Sequence, residues 1–374
     1  MTAMPLSQPP FRADHVGSLL RPKHLLRARE EHRKGQLGAD ELRRIEDEAI
    51  RAAVKMQEDI GLQGITDGEF RRSSWHMDFL YQIGGVRKVA QNITVHFHSD
   101  HGDVDFTPSG LRVEGPLNLR DCIFGEHFDF LKTSVSRGTP KLTIPSPSMV
   151  HYRGGRAAID SAVYPRMEDF WRDLSAVYAQ EIVALGRRGC TYLQLDDTSL
   201  AYLNDPKQRE YVKSIGGDPD AQHLVYIRNI NAAIASRPPN LRITTHMCRG
   251  NFRSAWAAEG SYEHVADALF NELQVDGFFL EFDDARSGGF EPLRFVPKGK
   301  FVVLGLVTTK RGQLERKDDL KRRIDQAAKY VPLEQLCLSP QCGFSSTEEG
   351  NELSEEEQVA KLRLIVETAR EVWG

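Results

Sequence analysis

Hydrophobic and polar positions along the chain follow two rhythms. Over residues 40–60, Leu42, Ile45, Ala49, Ala52, Met56 and Ile60 recur at spacings of three and four, which predicts an amphipathic helix with Gly61 placed to end it. The second rhythm is a series of short apolar runs that turn polar at their C-terminal ends: 11–18, 65–69, 141–147, 191–197, 242–248, 277–284, 301–307 and 336–343. Helical stretches are expected at about 167–188, 221–236, 262–273 and 318–330, and a last helix opens with Ser354 and Glu357 at capping-box spacing. Eight short strands, most of them separated by helices, describe an α/β fold, a (β/α)8 TIM barrel in which residues 1–374 form a single domain. One region, about 84–130, breaks the rhythm between the second and third strands. There 92–98 and 110–114 read as strands of a hairpin-like insertion.

Composition narrows the class of partner. Lysine plus arginine (49) nearly balances aspartate plus glutamate (53), so no global charge points to nucleic acid or to an anionic membrane surface. Neither a basic segment leading into an apolar one at the N-terminus nor an apolar run of membrane-spanning length is present in the sequence, and a cytoplasmic location is expected. Five cysteines (Cys122, Cys190, Cys248, Cys337, Cys342) are too sparse for a disulfide framework, which leaves thiols available as ligands. A small-molecule substrate is the expected partner.

Candidate chemistry follows from where the polar residues fall. His15, Glu69, Asp196, Asp197, His246, Cys248, Glu281 and Cys342 lie at or near the C-terminal ends of their strands, where barrel enzymes keep their active sites. On a strand, residues two apart share a face, so His246 and Cys248 emerge side by side. Glu281 and Cys342 complete a nitrogen, sulfur and oxygen set that suits tetrahedral zinc, whereas magnesium and calcium prefer oxygen cages. A zinc-bound thiol loses its proton more readily and becomes a nucleophile at neutral pH. Glu281 is also open to pairing with an arginine such as Arg286. Glu69 and Asp196, with Asp197 as an alternate, suit an ammonium group, and the backbone near Gly17 and Ser18, beside His15, suits a carboxylate. Together they describe an α-amino acid, although each acid is equally open to a salt bridge inside the barrel. His96, His98 and His101 form a further histidine group on the insertion, readable as a second metal site or as a solvated hairpin face.

These motifs resemble the cobalamin-independent methionine synthase family, specifically single-barrel proteins similar to its C-terminal catalytic half. The resemblance covers nearly the whole chain and rests on Asp14-His15-Val16-Gly17-Ser18, Asp67-Gly68-Glu69, Gln194-Leu195-Asp196-Asp197, His246-Met247-Cys248, Leu280-Glu281 and Ser339-Pro340-Gln341-Cys342-Gly343. It implies that His246, Cys248, Glu281 and Cys342 hold zinc, that Ser18, Glu69 and Asp196 bind homocysteine, and that a methyl group moves to the homocysteine thiol. In the family the donor is a methyl-folate. This chain departs from the long enzymes in three places: their N-terminal barrel has no counterpart, residues 143–148 carry Pro145, Ser146 and Pro147 where a tryptophan flanks the pterin, and Gly305-Leu306-Val307-Thr308-Thr309 stands where a histidine serves proton delivery.

The expected activity is therefore zinc-dependent methyl transfer to homocysteine, from a methyl-folate or another methyl carrier such as a methyl-corrinoid protein. A homo-oligomer and a methyl-carrier protein are the macromolecular partners left open. A second reading is a thiol alkyltransferase resembling epoxyalkane:coenzyme M transferase, for which Arg71, Arg72, Arg249 and Arg253 would meet a sulfonate, although they are equally open to an anionic donor or to solvent. The third is a zinc or thiol-binding module without turnover.

Overall fold

The protein is described from a computed structural model over residues 7–90, 94–99, 102–107 and 109–374. Its strands run, in chain order, β1 (Gly64–Ile65), β2 (Gly84–Val89), β3 (Val95–Phe97), β4 (Val104–Phe106), β5 (Gly110–Asn118) and β6 (Thr139–Pro145). They continue with β7 (Tyr192–Asp197), β8 (Arg242–Met247), β9 (Gly277–Glu281), β10 (Phe301–Val307) and β11 (Leu336–Pro340). Seven of these form one curled parallel sheet in the order β1-β6-β7-β8-β9-β10-β11. Helices separate most of the sheet strands, so the sheet is covered and its strands read as almost uninterrupted apolar runs.

Where an eighth strand is expected, residues 11–18 contribute a single parallel bridge, Ala13 to Leu338 on β11. The Asp14 N–H donates to the Leu338 carbonyl at 3.0 Å and the Leu338 N–H to Arg12 at 2.9 Å, while His15 Nε2 reaches the Gly64 carbonyl of β1 at 3.1 Å. The segment thus lies between the two ends of the sheet without a full ladder. Gly17, at φ 144°, turns the chain away after only a few extended residues.

The sheet interior is not wholly apolar. Lys141 is fully buried, with its ammonium 3.1 Å from Asp14 Oδ1 and over the Phe279 ring, and Tyr192 donates to Asp14 Oδ2 at 2.7 Å. A buried charge survives only when paired and hydrogen-bonded, and these partners meet that requirement.

Helix α1 (Lys23–Arg33) precedes α2 (Ala39–Ile60), which ends at Gly61 in the left-handed region (φ 95°) as its sequence predicts. Its buried stripe differs from the predicted one: Ala52 is exposed, and Glu46 and Gln57 are buried. Polar partners explain the difference. Glu46 pairs with Arg29 at 3.0 Å, and Gln57 exchanges two 2.9 Å bonds with the backbone of Thr66.

The region expected as one hairpin-like insertion contains two separate antiparallel ribbons. β2 pairs with β5, and β3 pairs with β4. The expected strand 92–98 therefore finds its partner at 104–106 and not at 110–114, and Asn92 and Ile93 lie outside the described residues. The helix Gly125–Ser134 then leads into β6. Among the described residues no helix is long and apolar enough to cross a membrane.

Candidate metal centre

His246 lies near the end of β8 and Cys248 just beyond it; Glu281 ends β9, and Cys342 follows β11 by two residues. Parallel register brings the strand ends to one level, with Asp196 of β7 opposite His246. One potential ligand atom from each of His246, Cys248, Glu281 and Cys342 lies within 4.8 Å of the others, and all four residues are buried. The two sulfurs are 3.3 Å apart.

Surrounding bonds leave these groups unsatisfied. Both ring nitrogens of His246 and both carboxylate oxygens of Glu281 are buried without a hydrogen-bond partner among the described residues. Arg249 Nη1 comes no closer than 3.8 Å to Glu281 Oε2. Buried polar atoms without partners are costly, and four of them converging with two thiols fit a soft divalent cation. The Gly250 N–H donates to Cys248 Sγ at 3.2 Å, a bond that favours the thiolate.

The electrostatics agree with this donor set. Cys342 is held well below the usual thiol range by the hydrogen bond from Cys248, which is itself pushed up by that bond and then by burial. Burial raises Glu281, with Lys310 opposing. Burial alone would lower His246, but the Cys342 sulfur, Asp196 and Glu281 raise it on balance.

Arg249 and Tyr262 build the frame. Buried Arg249 donates to the Gly260 carbonyl at 2.7 Å, to Tyr262 Oη at 2.9 Å and to the Glu281 carbonyl at 3.1 Å. Tyr262 Oη donates to the Met247 carbonyl at 3.1 Å and accepts from the Glu281 N–H at 2.9 Å, tying β8 to β9 beside the ligands. Sequence reasoning had no signal for Tyr262, which is distant in the chain from both strands. Of the places open to Arg249 in the sequence (a sulfonate, an anionic donor or solvent), it takes none: it is buried and its fork is used on carbonyls. Arg286 pairs with Asp283 at 2.9 Å and with Asp284, which leaves Glu281 without that partner.

A cavity of about 410 Å³ opens over the cluster, and Ser18, Glu69, Asp196, Asp197, His246, Cys248 and Cys342 all reach its wall. Glu69 has φ 61°, a strained value for a residue with a side chain, and its carboxylate accepts from Thr143 Oγ1 at 2.7 Å and lies 3.5 Å from Arg72. Its second oxygen is buried without a hydrogen bond. Asp196 accepts from Gln194 at 2.7 Å, and burial, with Glu69 adding and His246 opposing, lifts it to about 7. Asp197 accepts from Ser148 (2.5 Å), Ser199 (2.8 Å) and the Leu200 N–H (2.9 Å), which ties its carboxylate to the local fold. His15 and Gly17 are not among the residues that line the cavity. His15 is buried against Gly64 and lowered to about 4, chiefly by burial and then by Lys141. Gly17 is required for space as well as conformation, since a Cβ there would sit 2.7 Å from Thr143 Cγ2. The lining also includes aromatic residues, with Trp75 stacked on His76 and with Phe97, Phe106 and Phe252.

Of the histidines of the insertion, the two described ones each pair with an aspartate. His96 bonds Asp105 at 2.6 Å and His98 bonds Asp103 at 2.9 Å, each as a cross-strand or loop pair, and His101 lies outside the described residues. Among the described residues the four-residue set above is the one group of metal-ligand type.

Residues 134–371 match the profile of the cobalamin-independent synthase catalytic domain. The chain is 47% identical to the protein YxjH of Bacillus subtilis (strain 168), covering 97% of this chain and 95% of that one. It superposes on a Listeria monocytogenes structure, provisionally assigned as a vitamin-B12 independent methionine synthase, with TM-score 0.79 and 38% identity over 99% and 100% of the two chains. A B12-independent methionine synthase from Shewanella sp. W3-18-1, solved with selenomethionine, shares the fold at TM-score 0.67 and 20% identity over 99% and 96%. On a match that spans most of its length, the chain belongs to the family defined by the cobalamin-independent synthase catalytic domain.

Proposed function

We propose that this protein is a zinc-dependent methyltransferase that converts homocysteine to methionine. The observation that carries the reading is the convergence of His246, Cys248, Glu281 and Cys342, with the histidine nitrogens and glutamate oxygens unpartnered and buried. Family membership supports the same reaction class.

His246, Cys248, Glu281 and Cys342 would hold the zinc, which when bound favours the thiolate form of a substrate thiol at neutral pH. Glu69 and Asp196 face the same cavity and would accept the substrate ammonium, each already oriented, by Thr143 and Gln194 respectively. Ser18 reaches the wall beside them and would meet the carboxylate. In the reaction the sulfur loses a proton and gains the methyl carbon, while the donor leaves with the electron pair of its former bond to that carbon. The aromatic wall of Trp75, Phe97 and Phe252 would exclude water from that exchange.

The coenzyme M type of reading draws less support. Arg71 is held by Asp47, Arg72 donates to Thr143 O at 2.8 Å, Arg249 is committed to carbonyls, and Arg253 is not among the residues lining the main cavity. The deciding experiment is a mass-spectrometric screen of zinc-loaded protein with homocysteine and, in parallel, methyl-folate, methylcobalamin and small alkyl donors. Methionine from at least one methyl donor supports the proposal. Bound zinc with no product from any donor would make the protein a binding module instead.

A further inference from the structure

We propose that a second cavity, of about 270 Å³, is a binding site for a small carboxylate anion, with Lys310 and Arg253 as its cations. The cavity lies past the C-terminal ends of three neighbouring strands. Arg253 and Ser254 follow β8, Asp283 and Arg286 follow β9, and Thr308 and Lys310 follow β10. Barrel folds place ligands at this end because loops there can vary without disturbing the sheet.

Lys310 carries the inference. It is 7% exposed, lines this cavity and not the main one, and its ammonium has no hydrogen-bond partner among the described residues. Its backbone is anchored: the Lys310 N–H donates to Thr308 Oγ1 at 3.2 Å, and the N–H of neighbouring Thr309 donates to Gln341 at 2.6 Å. Glu281, Cys342 and Asp284 act on it through space without hydrogen-bonding it, and a buried ammonium without an acceptor is costly until an anion supplies one.

The other charges in the wall are largely accounted for. Asp283 and Asp284 are taken by Arg286, which also lies over the Trp256 ring at 5.0 Å, and Asp103 is taken by His98. Arg253 is exposed at the rim, and no hydrogen bond or ion pair engages its guanidinium among the described residues. It and Ser254 both adopt left-handed backbone, φ 48° and 66°, a strained pair of the kind that persists at ligand clamps.

Chemistry selects a carboxylate over a phosphate. A guanidinium fork matches the two oxygens of a carboxylate, and Lys310 supplies a compact point charge in the wall of the same cavity. Asp283, Asp284 and Glu352 in the same wall would repel a dianion more than a monoanion. The competing account is that Lys310 serves as a counter-charge for Glu281 and the thiols, which requires no ligand at all.

The test titrates zinc-loaded full-length protein with acetate, with propionate and with inorganic phosphate, following heat and the fluorescence of the tryptophans, Trp256 among them. Saturable carboxylate binding is expected, weakened about tenfold or more in Lys310→Met with zinc content unchanged, and weakened to a lesser degree in Arg253→Gln. Phosphate is expected to bind more weakly than either carboxylate. Absence of saturable carboxylate binding, equal affinity in wild type and Lys310→Met, or a preference for phosphate would each overturn the proposal. Should Lys310→Met fail to fold, Arg253→Gln decides, since unchanged carboxylate affinity in that exposed variant also overturns it.

Discussion

The sulfurs of Cys248 and Cys342, contributed by residues 94 positions apart in the chain, stand 3.3 Å from each other at the mouth of the sheet. Nothing local to either residue sets that distance. It follows from the sheet order, which leaves β9 and β10 between the strands that present them, and from the curl that turns both strand ends inward.

Removing one of these sulfurs should therefore empty the site. Purified protein is expected to hold about one zinc per chain, and Cys342→Ala to lose most of it, because a four-ligand zinc site rarely survives on three. Elemental analysis of the two proteins checks this, and full zinc retention in the variant would argue that Cys342 is not a ligand.

Asp196 should act on the substrate and not on the metal. Asp196→Asn keeps the shape and the bond to Gln194 while removing the charge, so homocysteine affinity is expected to fall by about tenfold or more with zinc content unchanged. Calorimetric titration beside elemental analysis separates the two effects. Parallel losses would mean that Asp196 supports the fold around His246.

Burial of His15 should make the fold sensitive to acid. Its folded pKa of about 4 lies below the unfolded value of about 6.5, so between these values the unfolded chain binds the extra proton. The stabilising contribution is complete above about pH 6.5 and is lost as pH falls toward 4, a change on the order of 3 kcal/mol. His15→Gln keeps a donor for the Gly64 carbonyl without the titration, and urea midpoints at pH 7 and 4.5 should differ less in this variant than in wild type. His76 and His151, also lowered chiefly by burial, leave part of the slope in place, and an undiminished slope in His15→Gln would remove His15 from the account.

Gly343 adjoins Cys342 and faces Ser18 so closely that a Cβ would lie inside van der Waals contact of the Ser18 hydroxyl. Gly343→Ala must displace either the serine or the strap that carries the cysteine, at a cost of about 1–3 kcal/mol. We expect a lowered melting temperature together with weaker homocysteine binding. An unchanged melting temperature would mean that the strap moves freely, and Ser18 would then be the residue to follow.

Much of the frame could be read before any coordinates. The 3.6-residue period and the short apolar runs with polar ends mark the helix α2 with its terminal Gly61 and every strand of the parallel sheet, and Ser354 with Glu357 marks the capping box of the last helix, because local chemistry sets those features. The polar ends of the strands marked His246, Cys248, Glu281 and Cys342 as residues to watch. Local pattern failed where partners are distant. The stripe of α2 admits Gln57 because Thr66 meets it, and 92–98 finds its strand partner at 104–106 because pairing depends on which ribbon is free.

What the amino-acid sequence determined by itself is the inventory: which side chains have ligand chemistry, which strands carry them, and the family to which those motifs belong. Tertiary structure decided their relations. It brought one atom from each of four residues to within 4.8 Å, tied Asp197 to Ser148 and Ser199, turned Arg249 toward carbonyls, and left Lys310 buried without a hydrogen-bond partner among the described residues. The physical reason is that a side chain's chemistry belongs to its residue type, whereas its partners and its hydration depend on sheet register and loop packing across the whole fold.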